Sequence, residues 1–246
     1  MNYMPAPRRR SGLSAIPLPV RIAAAALIII AFSVIFFFVG KKIGTVVQNK
    51  IEQVIVSATD TDPKWTRTFT DGEATEGKAP SYVNYVPLVL NEYSRPGTYL
   101  SEVNGIVVHY VANPGTTAEQ NRNYFNNLAT THETWASSHF IIGLDGEVLQ
   151  LIPLDEWAYC SNDRNSDTLS IECCHPEEDG KFTDETYSSL VQLTADLCRN
   201  FGLDPLKDVI RHYDVTGKLC PLYFVEHEDE WHEFLTDVAA AMTADE

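Results

Sequence analysis

Two histidines and one cysteine have the residue types and positions expected of a metal site. His109 closes an apolar run, His212 follows a second short apolar run, and Cys220 lies eight residues after His212. Zinc binds imidazole nitrogen and thiolate sulfur in a tetrahedron, and catalytic zinc sites use three protein ligands so that the fourth position stays open for water. The spacing alone is equally compatible with two ordinary histidines and a buried cysteine.

A glutamate near the middle of the chain is a second candidate for chemistry. The strand-like alternation places Leu169 and Ile171 on one face and Ser170 and Glu172 on the other. Burying a carboxylate in an otherwise apolar strand costs free energy unless the carboxylate is paired or functional. Glu172 therefore has a function or faces solvent from an edge strand.

The apolar patterning predicts strands that alternate with helices. An Asp-Gly pair at Asp145-Gly146 indicates a hairpin turn between two of the strands. The alternation predicts an α/β fold with a single mixed central sheet flanked by helices. The predicted strands cover 105–110, 140–143, 148–152, 168–174 and 209–212, and the predicted helices cover 117–129, 184–201 and 226–242.

The composition divides the chain into four parts. The Pro- and Arg-rich composition predicts a disordered cytoplasmic tail over residues 1–21, and the apolar run predicts a transmembrane anchor over residues 22–40. Residues 41–80 predict a stalk followed by a polar linker, and residues 81–246 predict the catalytic domain. The fold is therefore expected to be preceded by an N-terminal transmembrane helix and a linker.

The anchor is predicted from a run of 19 uncharged residues, Ile22 to Gly40. As a helix this run spans about 28 Å, close to the thickness of the hydrocarbon core. The alternative is a cleavable signal peptide, but the run is long for one and ends in Phe36-Phe37-Phe38-Val39-Gly40 without a small-residue cleavage site. The flanking basic residues favour a cytoplasmic N-terminus and an extracytoplasmic domain.

The charge balance argues against nucleic acid as a partner. The net charge is −16, but the first 42 residues contain six basic and no acidic residues. All 34 acidic residues therefore lie in the remainder of the chain. Phosphate backbones would repel such a domain.

Four motifs resemble the zinc amidases of the phage-lysozyme and peptidoglycan-recognition-protein superfamily. They are Gly105-Ile106-Val107-Val108-His109-Tyr110, Ser138-His139-Phe140-Ile141-Ile142, Leu169-Ser170-Ile171-Glu172, and Arg211-His212-Tyr213 with Gly217-Lys218-Leu219-Cys220-Pro221. The resemblance runs from about residue 91 to 235. It implies an N-acetylmuramoyl-L-alanine amidase that acts on peptidoglycan, and the predicted anchor adds the bacterial cell membrane as the expected location. The sequence does not identify any protein partners.

The resemblance also implies roles for individual residues. His109, His212 and Cys220 match the ligands of one Zn²⁺ ion, and Glu172 matches the glutamate that accepts a proton from the water that zinc activates. Lys218 is expected to stabilise the oxyanion that develops during hydrolysis. We expect substrate contacts from His139 and from Asn165, which ends the polar loop Asn162-Asp163-Arg164-Asn165.

Two other functions remain open on the sequence alone. Relatives that only bind peptidoglycan often lack the cysteine, so Cys220 favours an enzyme over a non-catalytic receptor. Some relatives use a tyrosine just before the histidine that His139 matches, but this chain has Ser138 there, which assigns the base role more clearly to Glu172. A zinc peptidase that cuts within the stem peptide is the other alternative.

Overall fold

The structure is a computed structural model that describes residues 64–67, 75–78 and 80–244, all within the compact unit Gln53–Glu246. The strands are β1 (Lys64–Arg67), β2 (Thr75–Lys78), β3 (Val83–Tyr85), β4 (Gly105–Tyr110), β5 (Phe140–Ile142), β6 (Val148–Gln150), β7 (Thr168–Cys173) and β8 (Val209–Arg211). The helices are α1 (Ala118–Thr131), α2 (Asp184–Phe201), α3 (Pro205–Asp208), α4 (His212–Thr216), α5 (Leu222–Glu226) and α6 (Glu228–Ala244), and a 3-10 turn covers Asn162–Arg164.

A six-stranded mixed sheet organises the domain, in the order β3-β6-β5-β7-β4-β8. Strands β5, β7, β4 and β8 are parallel neighbours, whereas β6 runs antiparallel to β5. The register pairs His109 of β4 with Glu172 of β7, and Val108 of β4 with Arg211 of β8. The carboxyl ends of β7, β4 and β8 therefore meet at one edge of the sheet, which is where open α/β sheets usually bind ligands.

Each face of the sheet packs against its own helices. Val108 and Ile171 belong to a buried core that also contains residues of α2 and α6, including Leu193 and Phe234. A second core on the opposite face includes Phe125 of α1. Because side chains alternate along a strand, His109 and Glu172 project from the face opposite to Val108 and Ile171.

The prediction of a mixed central sheet flanked by helices is confirmed. Helix α2 has the predicted bounds because Thr183 caps its first turn and Gly202 ends it in a left-handed conformation at φ 68°. The predicted terminal helix 226–242 begins two residues later in the structure. A separate short helix, α5, ends at Glu226, and His227 has non-helical backbone angles.

The predictions for the N-terminal region fall mostly on residues that the structure does not describe. The tail 1–21, the anchor 22–40 and most of the stalk and linker 41–80 lie outside the described residues. Within the linker, β1 and β2 form an antiparallel pair that was not predicted. Among the helices that the structure describes, none is both long and apolar enough to cross a bilayer.

The cap of α2 gives a stability prediction. The hydroxyl of Thr183 accepts a hydrogen bond from Thr186 N at 3.0 Å and donates one to Leu144 O at 2.7 Å. Thr183→Ala removes both bonds and should lower the free energy of unfolding by about 1 kcal/mol, measured by urea denaturation. Thr236→Ala, at an exposed position on α6, is the control and should change it by less than about 0.5 kcal/mol. Equal effects of the two substitutions would contradict the capping role.

Candidate metal centre

The structure brings together the three residues that the sequence predicts as ligands. One ligand atom from each of His109, His212 and Cys220 lies within 4.8 Å of the other two, and all three residues are buried. His109 Nδ1 is 3.8 Å from Cys220 Sγ, and the two imidazole centroids are 4.6 Å apart. This donor set of two nitrogens and one sulfur is one that zinc prefers.

The chain segment from His212 to Cys220 turns back on itself so that both ends reach the same point. His212 begins α4 directly after β8, and Gly217 ends that helix at φ 78°, a left-handed conformation that glycine adopts without steric cost. Tyr213 N then donates a hydrogen bond to Cys220 O at 2.9 Å. This bond fixes the cysteine beside the histidine eight residues before it.

Arg211 anchors the same segment to the core. Its guanidinium is almost fully buried and donates to Asp214, to Glu228 at the start of α6, and to the carbonyl of Phe224. It also lies over the ring of Trp231, 5.3 Å from the centroid. The residue before the His212 ligand is therefore bound to three helices, α4, α5 and α6, which limits the movement of His212.

The hydrogen bonds of His212 leave a nitrogen available for a metal. Its Nε2–H donates to Asn162 Oδ1 at 2.8 Å, so Nδ1 carries the lone pair. That Nδ1 is buried and has no hydrogen-bond partner among the described residues. Because buried polar atoms are almost always paired, an orphan lone pair that faces a thiol and a second imidazole fits a metal ligand.

Burial also sets the charge state of the metal-free ligands. It lowers the pKa of His109 well below the ordinary value, with smaller contributions from His212 and Lys218. Burial, followed by the charge of Lys218, lowers the pKa of His212 as well. The pKa of the Cys220 thiol is raised to about 12, chiefly by burial and then by Glu172. The imidazoles are thus neutral, which is the form that binds metals.

Glu172 lies beside the cluster, in the position that the sequence predicts for a base. Its Oε1 accepts a hydrogen bond from the Cys160 thiol at 3.6 Å, whereas Oε2 is buried without a partner in the described part of the chain. Burial raises the pKa of Glu172 to about 8, against the opposing effects of Lys218 and the Cys160 hydrogen bond. His109, Cys160 and Glu172 also form a second set of atoms within metal-binding distance of one another.

Lys218 lies at the exposed rim of the cluster. Its positive charge lowers the pKa values of His109, His212, Cys220 and Glu172, so its ammonium group is within electrostatic reach of all four. This position suits the expected interaction with a developing negative charge.

His139, for which the sequence predicts a substrate contact, is buried and bonds to other parts of the protein. The residue is 1% exposed. Its Nε2–H donates to Glu156 O at 2.9 Å, and its Nδ1 bonds to Ser170 Oγ at 3.0 Å. Both ring nitrogens of His139 therefore bond to the protein and the ring is buried, so a substrate contact by this residue stays a prediction.

Asn165 is likewise used inside the protein. Its Oδ1 accepts hydrogen bonds from the backbone nitrogens of Cys160 at 3.0 Å and of Ser161 at 2.6 Å. This side chain closes the turn that precedes β7, and the expected substrate contact of Asn165 stays a prediction.

The start of this loop makes contacts with the cluster that the sequence did not predict. Cys160 reaches Glu172, and Ser161 Oγ is 3.2 Å from His109 Nε2. Asn162 was noted as part of a polar loop, but its bond to His212 was not predicted. The only available signal was the position of this loop directly before the strand that carries Glu172.

Solved structures support the fold. The catalytic domain of XlyA matches with a TM-score of 0.54 and 25% identity over 63% of this chain and 98% of that domain. A mutant endolysin from Bacillus subtilis matches with the same TM-score and identity, over 63% of this chain and 97% of that structure.

Curated relatives and a family model identify the group of proteins to which the chain is related. N-acetylmuramoyl-L-alanine amidase BlyA of Bacillus subtilis (strain 168) is 36% identical over 180 residues, which cover 65% of this chain and 47% of that protein. CwlL of Bacillus licheniformis is 37% identical over 158 residues, 59% of this chain and 43% of that protein. The chain thus spans a little under half the length of these relatives. Residues 99–222, half of the chain, match the family model described as N-acetylmuramoyl-L-alanine amidase, and the chain belongs to that family.

Proposed function

We propose that this chain hydrolyses the amide bond between N-acetylmuramic acid and the L-alanine of the peptidoglycan stem peptide. The observation that carries the proposal is the buried cluster of His109, His212 and Cys220 with Glu172 beside it. Family membership and the relatives named as N-acetylmuramoyl-L-alanine amidases support this bond as the one that is cut.

The residues present fit one zinc ion. His109 and His212 would hold it through nitrogen and Cys220 through sulfur, since the orphan Nδ1 of His212 and the Cys220 thiol face the same space. When bound, zinc polarises a carbonyl and lowers the pKa of water to about 7. Three protein ligands leave a coordination position open, which is the arrangement of catalytic sites.

Two side chains of this protein carry the remaining steps. In its ionised form, which the positive charges of Lys218 and of a bound zinc ion would favour, Glu172 accepts a proton from the attacking water through its unpaired Oε2 and transfers it to the leaving amine of L-alanine. Lys218 presents a positive charge to the oxyanion that forms as the carbonyl is attacked. Cys160 keeps the carboxylate of Glu172 oriented through Oε1 and leaves Oε2 free for the proton transfer.

Product analysis tests the proposed function directly. The full chain in detergent is incubated with purified muropeptides, and the products are identified by mass spectrometry. We expect intact sugars and stem peptides with a newly free L-alanine amine, and we expect chelation to abolish the reaction and zinc to restore it. Cleavage within the stem peptide would show a peptidase instead, and binding without any cleavage would show a receptor.

Replacing the base should separate metal binding from turnover. Glu172→Gln keeps the size of the side chain but cannot accept the proton, so turnover should fall by about 100-fold or more while the zinc content stays at that of the unaltered chain. Glu102→Gln, an exposed loop position, is the matched control and should leave turnover unchanged. Full activity of the Glu172 variant would show that another group is the base.

We further propose that the chain is a single-pass membrane protein. The uncharged run from Ile22 to Gly40, bracketed by Arg21 and Lys41, supports an anchor, and the excess of basic residues before the run supports a cytoplasmic N-terminus. The acidic domain would then face the cell wall that contains its substrate.

Charges placed in the proposed anchor should release the protein from the membrane. Lysine at the centre of a spanning helix costs about 3 kcal/mol, so Ile29→Lys combined with Ile30→Lys should move the chain from the carbonate-resistant membrane fraction to the soluble fraction. In spheroplasts, added protease should digest the domain of the unaltered chain. Unchanged fractionation of the double variant, or full protection of the domain, would contradict the proposed anchor or its orientation.

A further inference from the structure

Three consecutive residues contact three different members of the metal cluster. Cys160 Sγ donates to Glu172 Oε1 at 3.6 Å, Ser161 Oγ is 3.2 Å from His109 Nε2, and Asn162 Oδ1 accepts from His212 Nε2 at 2.8 Å. We call the segment Cys160–Asn162 the support loop. For the two imidazoles, the contact is made by the ring nitrogen opposite to the one assigned to the metal.

The support loop is itself held in place. Asn165 Oδ1 binds the backbone nitrogens of Cys160 and Ser161, and Ser161 is 1% exposed. Asn162 adopts φ 52°, a left-handed conformation that asparagine tolerates better than most residues. The backbone therefore places the amide of Asn162 against His212 independently of the metal.

The contacts fix which nitrogen of His212 can bind a metal. An amide oxygen can only accept a hydrogen bond, so Asn162 Oδ1 retains the hydrogen of His212 on Nε2 and leaves the lone pair on the buried Nδ1. Partners of this kind set the tautomer and the ring orientation of a ligand histidine and raise its basicity. Ser161 Oγ contacts Nε2 of His109, whose Nδ1 faces Cys220; because a hydroxyl can donate or accept, this contact orients the ring without selecting its tautomer.

We propose that Ser161 and Asn162 are positioning residues that hold both ligand histidines ready for the metal. The inference rests on the proposed function, because it requires that His109 and His212 bind zinc. In this arrangement the support loop orients both imidazoles. A substitution in the loop therefore changes the zinc affinity although no ligand residue is replaced.

The test compares two substitutions at one position. Asn162→Gly removes the amide and tolerates φ 52° without strain, whereas Asn162→Asp keeps an acceptor oxygen at the same place. Zinc affinity of the full chain is measured by competition with a chromophoric chelator. We expect about 10- to 100-fold weaker binding for the glycine variant, and rescue to near the affinity of the unaltered chain for the aspartate variant.

Two further variants distinguish positioning from general stability. Asn104→Gly, in an exposed loop before β4, makes the same change away from the site and should leave zinc affinity unchanged. Ser161→Ala should weaken zinc binding through His109, and it provides an independent measurement at a second position. Urea denaturation of the metal-free proteins should give the same midpoint for Asn162→Gly as for Asn104→Gly.

The outcomes separate this inference from the proposed function. If the unaltered chain binds zinc and Asn162→Gly binds it equally tightly, the positioning role is overturned while the function stands. If the glycine variant is weakened but the aspartate variant is equally weak, the acceptor role is overturned. If the unaltered chain binds no zinc, both the inference and the proposed function fail.

Discussion

Burial of polar groups side by side is the constraint on which the rest of the structure depends. Two imidazoles, a thiol and a carboxyl share one space, and two of their atoms, His212 Nδ1 and Glu172 Oε2, have no hydrogen-bond partner within the described ranges. Leaving such atoms unpaired in a protein interior costs free energy. A divalent cation and its water would provide partners for these atoms. Metal binding would therefore remove the free-energy penalty of leaving them unpaired, which increases the affinity for the metal.

The fold produces this arrangement by placing three parallel strands next to one another. β4 lies between β7 and β8, so the side chains at the ends of all three converge although they are far apart in sequence. The support loop then enters from the segment before β7 and contacts the outer side of the cluster. The sheet places His109, Glu172 and the start of the His212 segment, and the contacts of the support loop are the basis for the proposed positioning role.

Much of the fold was predictable because the ends of helices and the positions of turns are determined by residues that are adjacent in sequence. The bounds of α2 follow from a Thr183 cap and a terminal Gly202, and the hairpin at Asp145-Gly146 follows from a turn that needs positive φ. The β1–β2 pair escaped prediction because Thr75-Glu76-Gly77-Lys78 has no apolar alternation. For such a strand, pairing with its neighbour decides the structure, and pairing is not visible in composition.

The sequence motifs predicted which residues form the candidate site. They did not predict the contacts that depend on the direction of a side chain. His109, His212 and Cys220 meet as expected, but the proximity of His109 and His212 comes from the pairing of β4 with β8, and that of Cys220 comes from the turn after α4. His139 lies in a motif and yet bonds internally to Glu156 and Ser170. A sequence gives the presence of a polar side chain but not the direction in which it points, and the role of Asn162 was missed for the same reason.

X-ray absorption at the zinc edge tests most directly whether His109, His212 and Cys220 bind one zinc ion. We expect two nitrogen scatterers at about 2.0–2.1 Å and one sulfur at about 2.3 Å. The sulfur shell should disappear in Cys220→Ser. A sulfur shell that persists in this variant would place the ion on His109, Cys160 and Glu172 instead, and a spectrum of the unaltered chain without sulfur would contradict the claim.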